Sequence, residues 1–259
     1  MAIEYRRYLL EKIGPETEEV RTFSFAPEEG EVPSFRDGQF FNIRVPKALG
    51  VIKPNFRSYS VLAPHSPDRI SFGIKLEGAF THLLFDMKEG DGVELAGPFG
   101  SFVMKEPADA QDADRPADEA PVRGQTDAAS RQSVFLAGGI GITPLHCMAA
   151  GFVQKKKNGK AILFYSNREE DNIAYRGSLD ALHGACPDFE AVYTLTGESA
   201  PAGWTGERGR IGPGMLALHG VDFTRAHFYL CGSPPFVKGL IAMLTEAGVE
   251  AQRVHKEQW

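Results

Sequence analysis

Residues 3–98 alternate short β-branched and aromatic runs with Gly, Pro and Asp, a spacing that predicts strands over 5–13, 20–25, 39–45, 57–62, 69–75 and 92–96. Hairpin-like turns at Pro67-Asp68 and Gly90-Asp91-Gly92 make a small antiparallel six-stranded β-barrel the expected closure. One stretch breaks the two-residue rhythm. Phe80, Leu83, Leu84 and Met87 recur at helical spacing, so one short helix interrupts the barrel. After residue 133 the rhythm becomes strand, turn, helix. Apolar runs at 134–137, 161–165, 191–195 and 227–231 alternate with helical patterns at 143–154, 174–183 and 235–247. Such alternation predicts an α/β unit, a parallel sheet with helices on both faces.

Between these halves, residues 106–132 hold seven acids, three arginines and three prolines, and no aliphatic side chain larger than alanine apart from Val122. Such a segment buries too little surface to offset its ordering entropy. It is expected to be a mobile acidic loop at a domain boundary, with a docking arm for a basic partner as the alternative. The expected division is a barrel domain over 1–104, an acidic insert over 105–132 and an α/β domain over 133–259.

A length of 259 residues suits two domains, and the halves share no repeat. The net charge of −6, with Lys and Arg dispersed among the acids, gives no basic footprint for nucleic acid or anionic membrane. No apolar run approaches a spanning length, and Glu4, Arg6 and Arg7 stand where a signal core would be, so a cytoplasmic protein is expected. Cys147, Cys186 and Cys231 are odd in number and far apart, which argues against disulfides and against Cys-x-x-Cys metal or iron–sulfur spacing. Any redox chemistry must come from an organic cofactor.

Arg57-Ser58-Tyr59-Ser60 offers a cation, an aromatic face and small hydroxyls at strand spacing. Arg57 and Tyr59 should share one face and Ser58 and Ser60 the other, with Ser60 reaching a ligand by its backbone or by a hydroxyl turned at the strand end. Gly138-Gly139-Ile140-Gly141-Ile142-Thr143-Pro144 lies between a strand and a helix, where free N–H groups and the helix dipole favour a pyrophosphate. Its glycines permit close approach, Thr143 is placed as an N-cap and Pro144 suits the first helical position. The following strand ends on Arg168, which is open to two readings: a seat for a 2′-phosphate, or a local partner for Glu169, Glu170 and Asp171. A nicotinamide nucleotide is expected, NADH or NADPH. Cys231 closes a strand at its carboxyl edge, where ligands of open α/β sheets sit. His82 and His146 lack the spacing of metal ligands. Trp204 could line an adenosine site or simply pack.

The order of these pieces resembles the ferredoxin-NADP reductase family over nearly the whole chain apart from the acidic insert. The matching motifs are Gly38-Gln39-Phe40, Arg57-Ser58-Tyr59-Ser60, Gly78-Ala79-Phe80-Thr81, Gly97-Pro98-Phe99-Gly100, the glycine turn, Cys231-Gly232-Ser233-Pro234 and Glu257-Gln258-Trp259. Ser233 and Phe236 depart from the proline and methionine more usual there. The resemblance implies FAD as the flavin. It places Arg57 on the flavin pyrophosphate, Tyr59 on the ring system and Ser60 near N5, with Gly78, Ala79, Phe80 and Thr81 as a second phosphate cradle. It further implies that Cys231 and Gly232 meet the nicotinamide, that Trp259 covers the flavin face, and that Glu257 forms a proton path with Ser60. The implied activity is an NAD(P)H-dependent flavoprotein reductase passing electrons to a separate ferredoxin or a haem or non-haem-iron oxygenase component. Alternatives are a flavin or ferric reductase with a diffusible acceptor, and a flavin-holding relay or regulatory subunit that does not oxidise NAD(P)H.

Overall fold

The computed structural model describes residues 3–45, 55–105, 132–198 and 201–258. Residues 106–131 of the acidic insert and Trp259 lie outside the described residues. Six strands, β1 (Arg6–Pro15), β2 (Val20–Pro27), β3 (Phe40–Arg44), β4 (Phe56–Ser60), β5 (Ile70–Lys75) and β6 (Gly92–Phe99), form one antiparallel sheet in the order β4-β3-β6-β1-β2-β5. Its ends meet where Val61 bridges Phe72 and the Leu62 N–H donates to the Ser71 carbonyl at 2.9 Å, closing the barrel. Closure is why β4 stops at Ser60: Val61 and Leu62 turn from β3 toward β5. Every second side chain points inward, and Phe23, Phe25, Phe41, Ile43, Phe72 and Ile74 are almost fully buried. Helix α1 (Ala79–Phe85) plugs the barrel with Phe80 and Leu84, and Met87 follows just beyond the helix end.

The second sheet is parallel throughout: β7 (Gln132–Gly138), β8 (Lys160–Asn167), β9 (Phe189–Leu195), β10 (Glu207–Arg208), β11 (His227–Gly232) and β12 (Val254–Gln258), in the order β10-β9-β8-β7-β11-β12. Phe135, Leu163 and Tyr229 pack with Leu145 and Met148 of α2 (Ile142–Gln154) and Leu179 of α3 (Arg176–Ala185). Val134, Leu136, Ile162 and Phe164 face the other way, onto Leu216 of α4 (Pro213–Leu218) and Leu240 and Leu244 of α5 (Pro234–Glu246). Helices therefore cover both faces. Strand order reverses between β7 and β11, and open α/β sheets form their ligand crevice at the carboxyl ends of such a switch point.

Helix α2 is buried nearly throughout because it is wedged between the domains. Cys147 belongs to the barrel core, while Val20, Leu62, Phe102 and Met104 from the barrel side join the core of the second sheet. Lys155 at the end of α2 pairs with the buried Asp37 of the barrel. Among the described residues no helix is long and apolar enough to cross a membrane.

Candidate functional site

The cleft between the domains is built from the ends of β4 and β5, the start of α1, the glycine turn after β7 and the ends of β11 and β12. It encloses a cavity of about 550 Å³ whose walls include Arg57, Ser58, Tyr59, Ser60, Gly78, Ala79, Phe80, Thr81, Gly141, Thr143, Pro144, Cys231 and Glu257. That volume lies within the range of roughly 300–1,000 Å³ usual for cofactor pockets.

Arg57 and Tyr59 share a face, as strand alternation requires. The Tyr59 ring stacks against Phe80 with centroids 6.4 Å apart, and the Arg57 guanidinium stands 5.3 Å from the same ring while donating to the Phe56 carbonyl. Burial pushes the Tyr59 phenol up despite the opposing charge of Arg57, so it stays neutral. Ser58 donates to Asn42 on β3 at 2.7 Å, which uses its hydroxyl to hold the strand pair. Ser60, the last residue of β4, turns its hydroxyl across the domain boundary and donates to Glu257 Oε2 at 3.0 Å. Burial raises the Glu257 carboxyl above its ordinary range, and the Ser60 hydrogen bond partly offsets that rise.

Gly78 precedes α1 with φ +100, and a Cβ built there meets nothing within 4 Å, so the helix begins at an open edge of the cavity. Helix α1 starts at Ala79, one residue before Phe80. Thr81 closes the turn itself: its hydroxyl accepts from the Glu77 N–H at 2.7 Å and donates to the Gly78 carbonyl at 2.9 Å.

After β7, residues Gly139–Gly141 form a 3-10 turn that runs directly into α2. The expected N-cap at Thr143 is corrected here. The helix begins at Ile142 with Gly141 at its cap, and Thr143 donates back to the Ile140 carbonyl at 3.0 Å because the preceding turn is already helical. Pro144 is consequently the third helical residue. Gly141 is where the two switch-point strands approach each other: a built Cβ would sit 2.4 Å from the Cys231 carbonyl oxygen. Gly138 and Gly232 both lie against the Phe236 ring, whereas Gly139 has φ +52 and open space in front of it. Burial first, and the Glu257 charge second, push the Cys231 thiol up, so it is a neutral wall.

A second cavity of about 780 Å³ continues from the glycine turn over the ends of β7 and β8 and is lined by Gly138, Gly139, Ile140, Asn167, Arg168, Thr196 and Phe236, with Lys75 and Glu19 from the barrel. Ile140 and Lys75 belong to both cavities. Arg168 is exposed at the mouth, and of its acidic neighbours Glu170 pairs with Arg176 instead. Trp204 packs on the second core and donates to the Glu207 carbonyl at 3.0 Å, outside both cavities. Sequence inspection did not single out Lys75 or Gly73, strand residues whose only sequence mark is a place in an alternating run.

The cleft fits a flavin and the second cavity a nicotinamide nucleotide: a neutral ring beside a fixed guanidinium, then an open glycine edge, then a turn with glycines at close approach and N–H groups at a helix start. Comparison with known proteins agrees. Residues 8–104 match the oxidoreductase FAD-binding domain and residues 135–241 the oxidoreductase NAD-binding domain. The glycine betaine monooxygenase reductase subunit of Pseudomonas aeruginosa is 28% identical over 250 residues, covering 95% of this chain and 62% of that protein. A flavohemoprotein of Bacillus subtilis is 24% identical over 98% of this chain and 59% of its own. The chain thus spans about three fifths of the length of these curated relatives. A ferredoxin NADP+ reductase from Neisseria gonorrhoeae, solved with FAD and NADP, has the same fold, with a TM-score of 0.77 at 20% identity over 99% of each chain. With both domain families matched in order, the chain belongs to the oxidoreductases that join an FAD-binding barrel to an NAD-binding α/β domain, in the fold of ferredoxin NADP+ reductase.

Proposed function

We propose that this protein is an NAD(P)H-dependent flavoprotein reductase that delivers electrons to a separate acceptor, of the ferredoxin or oxygenase-component kind. The observation that carries the proposal is the meeting of two cavities at Ile140 and Lys75, one walled by the Arg57 to Ser60 strand and the other by the glycine turn, with the Ser60–Glu257 hydrogen bond spanning the boundary. FAD, when bound, would take a hydride from the nicotinamide and release the two electrons singly. The chain's own share is alignment, charge and proton supply.

In the proposed arrangement Arg57 and the open edge at Gly78 hold the flavin phosphates, and Tyr59 with Phe80 supports its ring. Gly138, Gly139 and Gly141 admit the nucleotide pyrophosphate, and Arg168 stands at the ribose end of that cavity. The neutral thiol of Cys231 and the small Gly232 leave a flat wall against which a nicotinamide can lie. Glu257 holds a proton more readily than an ordinary carboxyl, and the Ser60 hydroxyl is placed to relay it between Oε2 and the cleft. The role proposed for Trp259 as a ring cover falls on a residue outside the described set. Because the sequence contains three cysteines and no Cys-x-x-Cys spacing, an acceptor iron–sulfur centre held by four cysteines would lie outside these residues. The unpaired cysteines suit the cytoplasm, the proposed location.

Anaerobic stopped-flow mixing of the FAD-loaded protein with NADH and with NADPH tests this. Bleaching of the flavin absorbance by at least one of them is expected, and failure of both refutes the proposal in favour of a relay or regulatory subunit.

A further inference from the structure

His146 is the one histidine buried between the domains among the described residues, and its polar contacts all go to partners on other elements. It lies on the first turns of α2, five residues after Gly141, and its Nδ1 is 2.9 Å from the carbonyl oxygen of Leu62, two residues beyond Ser60 in the barrel. Its Nε2 is 2.8 Å from Ser178 Oγ on α3, and Ser178 Oγ is 2.9 Å from the Tyr175 carbonyl.

Proton counting fixes the arrangement. A carbonyl oxygen only accepts, so Nδ1 carries a hydrogen and donates to Leu62. The Ser178 hydroxyl has one hydrogen for two acceptors, the Tyr175 carbonyl and Nε2. The Tyr175 carbonyl already receives the Leu179 N–H at 2.9 Å, so the Ser178 hydrogen is free to go to Nε2. Neutral His146 thereby has both ring nitrogens satisfied, one by the barrel and one by α3. Burial holds the imidazole below its ordinary value, with the Leu62 hydrogen bond as a smaller opposing effect. The groups facing it are the Leu62 carbonyl from the barrel, and Ser178 with the Tyr175 ring, 5.3 Å away, from α3. Tyr175 is the titratable one, and burial keeps its phenol neutral. Tyr175 also has φ +63, and its hydroxyl lies 2.2 Å from where a Cβ on Gly73 of β5 would be, so the same corner of α3 presses on the barrel at a second point.

We propose that His146 is a positioning residue that pins the helix carrying the glycine turn to the barrel strand carrying Ser60, and so sets the angle between the nucleotide seat and the flavin cleft. The inference rests on the reductase reading for its catalytic consequence, but its structural claim stands apart from it. A neutral hydrogen-bonded pin at this point is short and rigid; the first cavity is walled by Ser60 on one side of it and by Thr143 and Pro144 of α2 on the other, and the glycine turn that leads into α2 lines the second.

The test measures domain geometry directly. In the FAD-loaded full chain carrying Cys186→Ser, spin labels at Lys12→Cys and Lys238→Cys report the distance between the two domains in frozen solution. Cys147 and Cys231 are buried with thiols pushed up, so they do not compete for label. A narrow distribution is expected for the parent. His146→Leu should broaden it at least twofold, and His146→Asn, whose amide N–H replaces the Nδ1 donor, should restore it. Limiting flavin reduction should fall about tenfold or more in His146→Leu and recover in His146→Asn, since a displacement of ~1 Å costs on the order of a hundredfold. An unchanged width in His146→Leu overturns the proposal, as does equal broadening in both variants. Should His146→Leu fail to fold, His146→Gln, whose amide reaches the Nε2 position and leaves the Leu62 carbonyl without its donor, takes its place; the same broadening supports the pin and an unchanged distribution overturns it. If the parent is reduced by neither nucleotide, the reductase reading fails while the distances still decide the pin.

Discussion

Gly141→Ala is the sharpest perturbation of the proposed site. A Cβ at this position would lie 2.4 Å from the Cys231 oxygen, 2.5 Å from its carbonyl carbon and 2.6 Å from the Gly232 nitrogen, all backbone atoms held in the centre of a parallel sheet. Ordinary contact begins at 3.4 Å, so the turn and the end of β11 must separate by about 1.0 Å (3.4 − 2.4). Overpacking of this kind costs roughly 1–3 kcal/mol, and at about 2–4 °C per kcal/mol the melting temperature should drop by roughly 2–12 °C. The kinetic cost is larger, because the separation falls between the proposed pyrophosphate turn and the proposed nicotinamide wall. A misplacement of ~1 Å is worth on the order of a hundredfold in rate. Limiting flavin reduction by stopped flow and melting by differential scanning read the two effects separately. Gly139→Ala is the control: at φ +52 it adds strain of ~1–2 kcal/mol, but its methyl enters open cavity and leaves β11 in place. It should therefore raise the nucleotide saturation constant and leave the limiting rate close to the parent's. If Gly141→Ala reduces flavin as fast as the parent with an unchanged melting temperature, the close approach of turn and strand is not what aligns the site.

Glu257→Gln keeps a partner for Ser60 and removes the titration. Because the folded Glu257 carboxyl is raised, its favourable contribution is present below the ordinary value of 4.5 and is lost as pH rises through the folded one. The variant should gain melting temperature relative to the parent from pH 4.5 to 8, and a difference independent of pH would refute this. His255 runs the other way: burial first, then His227 and Lys105, lower it from 6.5 to about 4, so stability present above pH 6.5 is lost as pH falls toward 4. His255→Gln should flatten that acid limb in a melting series, and an identical limb would assign it elsewhere. Arg168→Ala separates the two readings of that residue. If it seats a 2′-phosphate, a charge-assisted contact of ~1.5–3 kcal/mol is lost and NADPH affinity falls at least tenfold with NADH nearly unaffected. Equal small effects on both nucleotides leave it a surface residue.

Both sheets could be read from the sequence because their burial patterns are those of simple strands: period two in the barrel and continuous apolar runs in the parallel sheet. β12 escaped because Val254-His255-Lys256-Glu257-Gln258 is an edge strand with one aliphatic residue, held by pairing to β11 and not by its own apolar face. β10 and α4 are too short to show a period. Helix α3 was placed two residues early because Ala174 and Tyr175 read as apolar helix, whereas Tyr175 adopts a left-handed conformation that no propensity indicates. Of the candidate site, Arg57, Tyr59, Ser60, Gly141 and Cys231 carry a mark in spacing or motif and the structure brings them to one cleft, while Gly138 and Gly139 line the adjoining cavity. Lys75 and Gly73 were not legible, since their role depends on which barrel strand end faces the second domain, a tertiary fact with no local mark.

His146 shows why such omissions matter. In sequence it is a histidine in a helix with no ligand spacing. What spacing could not supply is that Leu62 and Ser178 would converge on its two nitrogens from different domains. The residues proposed to bind carry a local mark in the sequence, a glycine edge or a cation beside a ring. The proposed pin acts across elements 84 and 32 residues apart in the chain, so its chemistry appears only once the chain is folded. On the proposed reductase reading, the rate of hydride transfer depends on the angle between the two surfaces as well as on either surface alone.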